Sequence, residues 1–315
     1  MILSGKVLYG INEDDVNVKE KTLRIGNGVK EMSDRCNVNI RKEIREQIKT
    51  IDFNELVAVD HLSGCTVHDV FPNVEVVLMP KAKTVYANMF EKCQKLKKVD
   101  MKNVERVHEA AFKGCTKLQQ VLLPNVIFIG KEAFAGCERL ETISLRKERK
   151  VIQYFAFSET AVETIDLGDA KVDLGAFKWC GYLQSLSIDT LRDFDRRALA
   201  ECYAFKEILV RDKEYAYIEK APCIARGKTY SLVYDDEESP FAPDEKHMIC
   251  GVEKYDHDRV YPVFEYIQAI DTKSVNSGTF SRLYVLKNGK YIAVFTNGKI
   301  SLVSDSVSSL VEAKD

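Results

Sequence analysis

The stretch from Ala111 to Leu140, AFKGCTKLQQVLLPNVIFIGKEAFAGCERL, states one phrase twice, as AFKGCTKL and AFAGCERL. The phrase recurs along half of the chain. Phe90 pairs with Cys93, Phe112 with Cys115, Phe134 with Cys137, Phe157 with Thr160, Phe177 with Cys180, and Leu199 with Cys202. A degenerate earlier copy carries Leu62 and Cys65, followed by an insertion that holds Phe71 and Pro72. Behind each pair comes an apolar L-x-x-V-x-L pattern, from Val74, Val77 and Met79 through Leu118, Val121 and Leu123 to Phe205, Ile208 and Val210. Its seven copies step by 22, 22, 22, 22, 21 and 22 residues. Self-similarity at such a period is the signature of a stacked repeat, because one unit cannot bury its apolar face without a neighbour.

Within the unit, the period-2 piece V-x-L is rich in β-branched residues and predicts a short strand. Pro80, Pro124 and Asn125 turn the chain after it. A second apolar pair, such as Val104 and Val107 or Val126 and Ile129, predicts a return segment, and Ala-Phe closes the coil. The product of such stacking is a solenoid.

The stretch LQQVLLPNVIFIGKEAFAGCERL resembles the BspA-like class of leucine-rich repeat, whose consensus runs L-x-x-I-x-I-P and then V-x-x-I-G-x-x-A-F-x-x-C-x-x-L. The resemblance covers about residues 53 to 211. It implies a leucine-rich repeat solenoid of about seven right-handed coils, α/β or mostly β, with a parallel sheet on one face. As a class it implies recognition of proteins or surfaces rather than catalysis.

Six of the nine cysteines, Cys65, Cys93, Cys115, Cys137, Cys180 and Cys202, hold one repeat position. Stacked strands lie about 4.8 Å apart, a separation a disulfide can span. Thr160 at the same position, the flanking Ala and Gly, and the absence of histidine from that register favour buried free thiols that pack between coils. The recurring phenylalanine reads as a core spine.

If Val99, Met101 and their equivalents point inward, the residues between them form an open face. Its candidate partner-binding residues are Lys98 and Asp100, Gln120 and Leu122, then Thr142, Ser144 and Arg146, and farther on Asp166, Ser187 and Glu207. Charge reversal at Asp100, Arg146 or Asp166 is expected to spare stability. A glycan site would favour exposed aromatic rings, and this face carries none. The alternative is a sheet face that only keeps the protein in solution.

The ends lack the repeat. Ile40, Ile44, Ile48 and Ile51 in NIRKEIREQIKTI fall at helical spacing, which predicts an amphipathic helix within an N-terminal cap over residues 1–52. Residues 212–315 read as a β-rich cap or small domain, with Asn288-Gly289 and Asn297-Gly298 marking tight turns. Cys223, His247, Cys250 and His257, flanked by Asp256 and Asp258, could satisfy zinc, but no tight C-x-x-C pair is present and no metal site is assigned.

Lys+Arg 46 against Asp+Glu 48 gives a net charge of -2, which does not draw the whole chain toward nucleic acid. Arg146, Lys147, Arg149 and Lys150 cluster in one turn rather than forming a basic stripe from coil to coil. No apolar run is long enough to span a bilayer. If Met1 is the natural start, the chain is most simply cytoplasmic; removal of a signal would place it at the cell surface. No motif of a hydrolase, a zinc protease, a P-loop or a dinucleotide site occurs. The expectation is therefore a protein-binding scaffold without a cofactor, with a glycan-binding or adhesion module as the first alternative. A metal-binding or catalytic C-terminal domain is the second.

Overall fold

The computed structural model describes residues 2–59, 65–195 and 197–211 apart from 5 and 6, and the backbone of five strands beyond them: Thr229–Tyr234, His247–Gly251, Ile267–Ile270, Phe280–Leu286 and Tyr291–Phe295. At positions 2–4, 7, 32–36, 58 and 59 only the backbone is described.

Each predicted V-x-L piece is a strand, and the strands stack in parallel one coil apart. Lys98–Asp100 pairs with Val76–Leu78, Gln120–Leu123 with Thr142–Leu145, and Ser185–Ile188 with both Thr164–Asp166 and Glu207–Val210. These form the face ladder. The predicted return segments are strands too. Ala58–Val59, Thr84–Val85, Arg106–Val107, Phe128–Ile129, Lys150–Ile152 and Ala170–Val172 make an unbroken parallel sheet, the back ladder. The coil therefore has two parallel sheets where one face was expected. The alternative with substantial helix falls away: among the described residues the α-helices are two single turns, Lys42–Arg45 and Val67–Val70.

Between the ladders lies the core. Rings of Phe90, Phe112, Phe134, Phe157 and Phe177 stack at centroid separations of 5.0, 5.2, 5.3 and 5.5 Å, nearly parallel, and every one is buried. The chain turns around this spine by adopting left-handed backbone two residues before and two residues after each ring. Asn88, Ala110, Glu132, Phe155 and Gly175 hold the first position, and Lys92, Gly114, Gly136, Glu159 and Trp179 the second; Glu201 does the same after Leu199. At the turn between ladders, Asn103 and Asn125 each donate from Nδ2 to a carbonyl of the preceding coil, Pro80 at 2.6 Å and Lys102 at 2.7 Å.

The face ladder runs past the span read from the repeat. Thr22–Arg24 and Thr50–Asp52 stack in register before Val76–Leu78, and Thr229–Tyr234 stacks on Glu207–Val210. Antiparallel strands Val16–Asn17 and His247–Gly251 flank the two ends. The amphipathic helix predicted at residues 39–51 is a correction: one turn, Lys42–Arg45, forms, and Ile48 and Ile51 enter the solenoid core, Ile51 from a strand. Burial against the next coil outweighed local periodicity. Toward the C-terminus, Phe280–Leu286 and Tyr291–Phe295 pair antiparallel on either side of Asn288-Gly289. The Asn288-Gly289 and Asn297-Gly298 turns themselves lie outside the described residues.

The face ladder has two breaks. No strand pairing joins Lys98–Asp100 to Gln120–Leu123, or Thr142–Leu145 to Thr164–Asp166, although the back ladder is continuous behind both.

Candidate partner-binding face

Alternation along each face strand puts Val77, Val99, Val121, Ile143, Ile165, Leu186 and Ile208 into the core and turns their neighbours outward. Of the residues expected to meet a partner, Lys98, Gln120, Leu122, Thr142, Ser144 and Glu207 are exposed. Asp100, Arg146, Asp166 and Ser187 are partly buried. The structure brings most of them together along one side of the molecule.

Two grooves indent this side. The first, of about 610 Å³, is lined by Lys98, Asp100, Lys102, Gln120, Leu122 and Thr142 among others. The second, of about 460 Å³, is lined by Glu141, Thr142, Thr164, Asp166, Ser187 and Glu207 with their neighbours. They share Glu141 and Thr142, so the depression runs on from the fourth predicted coil toward the seventh.

Asp166, Ser187 and Arg146 are not free to meet a ligand as the sequence suggested. Arg211 donates from Nη1 to Asp166 and Asp189, both at 3.0 Å, and from Nη2 to Asp166 at 3.0 Å and Ser187 at 3.1 Å. The Gly168 N–H adds a further bond to Asp166 at 3.0 Å. Partial burial alone would raise the Asp166 pKa, but the Arg211 fork and the Gly168 amide hold it below the usual carboxylate range. This cluster clips three strands together. Arg146 is engaged with Glu148 at 3.1 Å. Asp100 has a long contact from the Lys102 amide, 3.4 Å.

The repeated thiols do structural work. Cys115, Cys137, Cys180 and Cys202 are buried, and each Sγ–H donates to the carbonyl of a phenylalanine one coil back, Phe90, Phe112, Phe157 and Phe177, at 3.0–3.2 Å. Burial pushes the Cys93 thiol up to about 12 and raises Cys115 as well, so neither forms a thiolate at neutral pH. Thr160 fits the same slot, bonding the Phe157 carbonyl at 3.0 Å and lying 3.3 Å from the Cys180 sulfur. Cys65 is a correction: it is exposed, while Val67 two residues on is buried, so the thiol lies outside the packed slot. Cys223 and His257 lie outside the described residues, and of His247 and Cys250 only the backbone is described.

Sequence reading missed two features. Lys150 takes a core position in the back ladder, 1% exposed, level with the buried Ala170 of the next coil. Its Nζ donates to the carbonyls of Leu167 and Asp169, and burial lowers its pKa to about 8. Trp179, Tyr182 and Tyr203 are also exposed, at 50%, 64% and 57%, on the bends of two adjacent coils and off the strand face. Lys178 lies 4.1 Å over the Trp179 ring, and Tyr203 donates to Glu201. The signal for both was an apolar or basic residue breaking the repeat pattern at its own position.

A family model described as BspA type leucine-rich repeat region, with six copies, matches residues 71–128 and 109–221. Among solved structures, a leucine-rich cell surface protein from Faecalibacterium prausnitzii is 14% identical with a TM-score of 0.43. That match covers 57% of this chain, and the chain spans only 57% of that protein's length. A leucine-rich repeat protein from Bacteroides ovatus is 16% identical, covering 65% of this chain and 74% of its own, with a TM-score of 0.27. The pneumococcal vaccine antigen PcpA is 13% identical, covering 69% and 74%, with a TM-score of 0.30. No curated protein matches. With the repeat in register, the stacked phenylalanines and the family match on the same residues, residues 71–221 form a BspA-type leucine-rich repeat region.

Proposed function

We propose that this protein is a non-enzymatic scaffold that binds a protein partner along the face ladder of residues 53–211, with Lys98, Asp100, Gln120, Leu122, Thr142, Ser144 and Glu207 making the contact. The observation that carries this reading is the paired groove, whose lining includes the outward Lys98, Gln120, Leu122 and Thr142, side chains that take no hydrogen bond or ion pair among the described residues. Seven face strands at about 4.8 Å span roughly 30 Å, the scale of a standard protein interface. Gln120, Leu122 and Thr142 join the stack through their backbones, and the polar side chains of Gln120 and Thr142 carry no hydrogen bond or ion pair among the described residues, so they are available to a partner. Arg146, Asp166 and Ser187 take a supporting part by fixing the shape of the face. The reading applies equally to a cytoplasmic chain and to one at the cell surface. Among the described residues, no helix is long and apolar enough to cross a membrane.

The test is affinity capture from the native host with wild-type protein and with Asp100→Lys and Gln120→Lys variants. A specific protein retained by the wild type and lost by variants of unchanged melting temperature supports the reading. Retention by all three sinks it.

A second reading, glycan binding or adhesion, draws support from the exposed Trp179, Tyr182 and Tyr203, since rings presented to solvent at a bend can stack on an apolar ligand surface. Binding on a glycan array that disappears in Trp179→Ala and Tyr182→Ala, while Gln120→Lys leaves it intact, would favour this alternative over the first.

A further inference from the structure

Three independent observations coincide at the two breaks in the face ladder. The first is hydrogen bonding. At closed steps the amides of Lys97 and Lys98 both donate to the Glu75 carbonyl, at 2.8 and 3.2 Å, and Met79 donates to Asp100 at 3.1 Å. At the first break the equivalent bonds, from Gln119 and Gln120 to Lys97 and from Met101 to Leu122, are absent among the described residues. At the second the same holds for Glu163 and Thr164 toward Glu141. The second observation is that each groove sits on one break. The third is core exposure: Val99 and Ile143, on the N-terminal side of each break, are 8% exposed, against 0% for Val77 and Val121.

Behind both breaks the molecule stays tied. Across the first, Gly130 donates to Val107 at 2.7 Å and Phe112 to Ala133 at 2.8 Å, and the Phe112 and Phe134 rings stack. Across the second, Asp173 donates to Ile152 at 2.9 Å and Phe157 to Ala176 at 2.7 Å. A cause for the second break is legible in the turns on either side of it. Leu145 to Ile152 is seven residues and Leu167 to Val172 is five, where Leu123 to Ile129 and Met101 to Val107 are each six. Gly168 absorbs part of the mismatch, left-handed at φ +52° and so close to Lys147 that a Cβ would lie 2.2 Å from its carbonyl oxygen.

We propose that the solenoid bends at these two seams. The back ladder and the phenylalanine spine act as a continuous hinge, and the face divides into three rigid blocks whose separation sets the width of the two grooves. This goes beyond the partner-binding reading and does not depend on it. Sheets joined on one side only lack the bonds that resist opening on the other, and low local hydrogen-bond density is where sub-global opening begins. A ligand that fills a groove at one width then selects that bend.

Amide-resolved NMR on the full chain tests the proposal with two readouts. The amides of Met101, Gln120 and Thr164 are expected to exchange with solvent at least 100-fold faster than those of Met79, Lys98 and Ser185, their counterparts at closed steps. Relaxation dispersion is expected to show microsecond-to-millisecond motion at residues flanking the seams, but not at His108, Gly130 or Asp173 in the back ladder. Protection at the seams within threefold of the closed steps, or flat dispersion profiles there, overturns the proposal. Neither result bears on whether a partner is captured by the face, so the two readings fail separately.

Discussion

Replacing Asp166 by lysine separates a residue that builds the face from those free to bind on it. In the wild type its carboxylate takes two bonds from Arg211 at 3.0 Å and one from the Gly168 amide at 3.0 Å. The Arg211 and Asp166 side chains are 31% and 39% exposed, so the ion pair itself contributes no more than about 1 kcal/mol after screening. Loss of the charge-assisted bond at Gly168 adds about 1 kcal/mol, and a new cation beside Arg211 up to about another 1. The expected cost is about 2–3 kcal/mol. For a solenoid of roughly two hundred residues that lowers the melting temperature by about 5–10 °C. Asp100→Lys, at the equivalent position three coils earlier on the broken part of the ladder, removes only a 3.4 Å contact and is expected to stay within about 0.5 kcal/mol. Calorimetry on both variants in the same buffer decides it. A melt of Asp166→Lys within 1 °C of wild type, or an equal drop in Asp100→Lys, would refute the claim that Arg211 clips the strands.

Gly136 is left-handed at φ +69° with ordinary space for a Cβ, while Glu159 holds the equivalent position at φ +58°; in chemical denaturation Gly136→Ala should cost about 1 kcal/mol and Glu159→Gly should gain about 0.5–1. Alkylation followed by peptide mapping should modify Cys65 at least about 100-fold faster than Cys115 and Cys137, since only Cys65 is exposed and the other two open only with the coils. Lys150 has a folded pKa lowered to about 8 from 10.5, so the unfolded chain binds more protons between those values and wild-type stability should rise with pH across that window. Measured against Lys150→Met, in which that group is gone, the difference should grow by up to about 3 kcal/mol between pH 7.5 and 10.5; a flat difference would mean that the amine is well solvated.

The coil was legible in the chain because the residues that build it obey short-range rules repeated in phase. Val99 and Ile143 alternate with polar neighbours, Phe112 and Phe134 come back at one spacing, and Thr160 in a cysteine's place showed that the slot wants a small side chain, not a ligand. The earliest coils were hidden because Thr22–Arg24 and Thr50–Asp52 lack the Phe and Cys signature. Yet Thr50-Ile51-Asp52 is the same tripeptide as Thr164-Ile165-Asp166, and that identity was the available clue. The helix expected around Ile44 had the right period, but three of its four isoleucines were needed by the first coils. Contacts that cross two strands, such as Arg211 onto Asp166, follow from no local pattern. They depend on 45 residues of chain closing two coils, and the seams depend on the summed turn lengths of neighbouring coils.

Comparison among the coils also explains why the face, rather than the thiols or the rings, is the place to look for specificity. Every position that holds the stack together recurs: the ring, the thiol or hydroxyl, the inward Val or Ile, the left-handed bend. Residues under a common packing constraint converge, because each coil meets the same neighbour geometry. The first outward position of the face strands does not converge. After Val76 it reads Lys98, Gln120, Thr142, Thr164, Ser185 and Glu207, running from cation through amide and hydroxyl to anion. A face kept only for solubility would be served by charge at every step, yet its middle is uncharged, and it is there that the two grooves meet at Glu141 and Thr142. A substitution of Thr142 should therefore disturb recognition at both grooves, whereas one at Lys98 or Glu207 should disturb a single end.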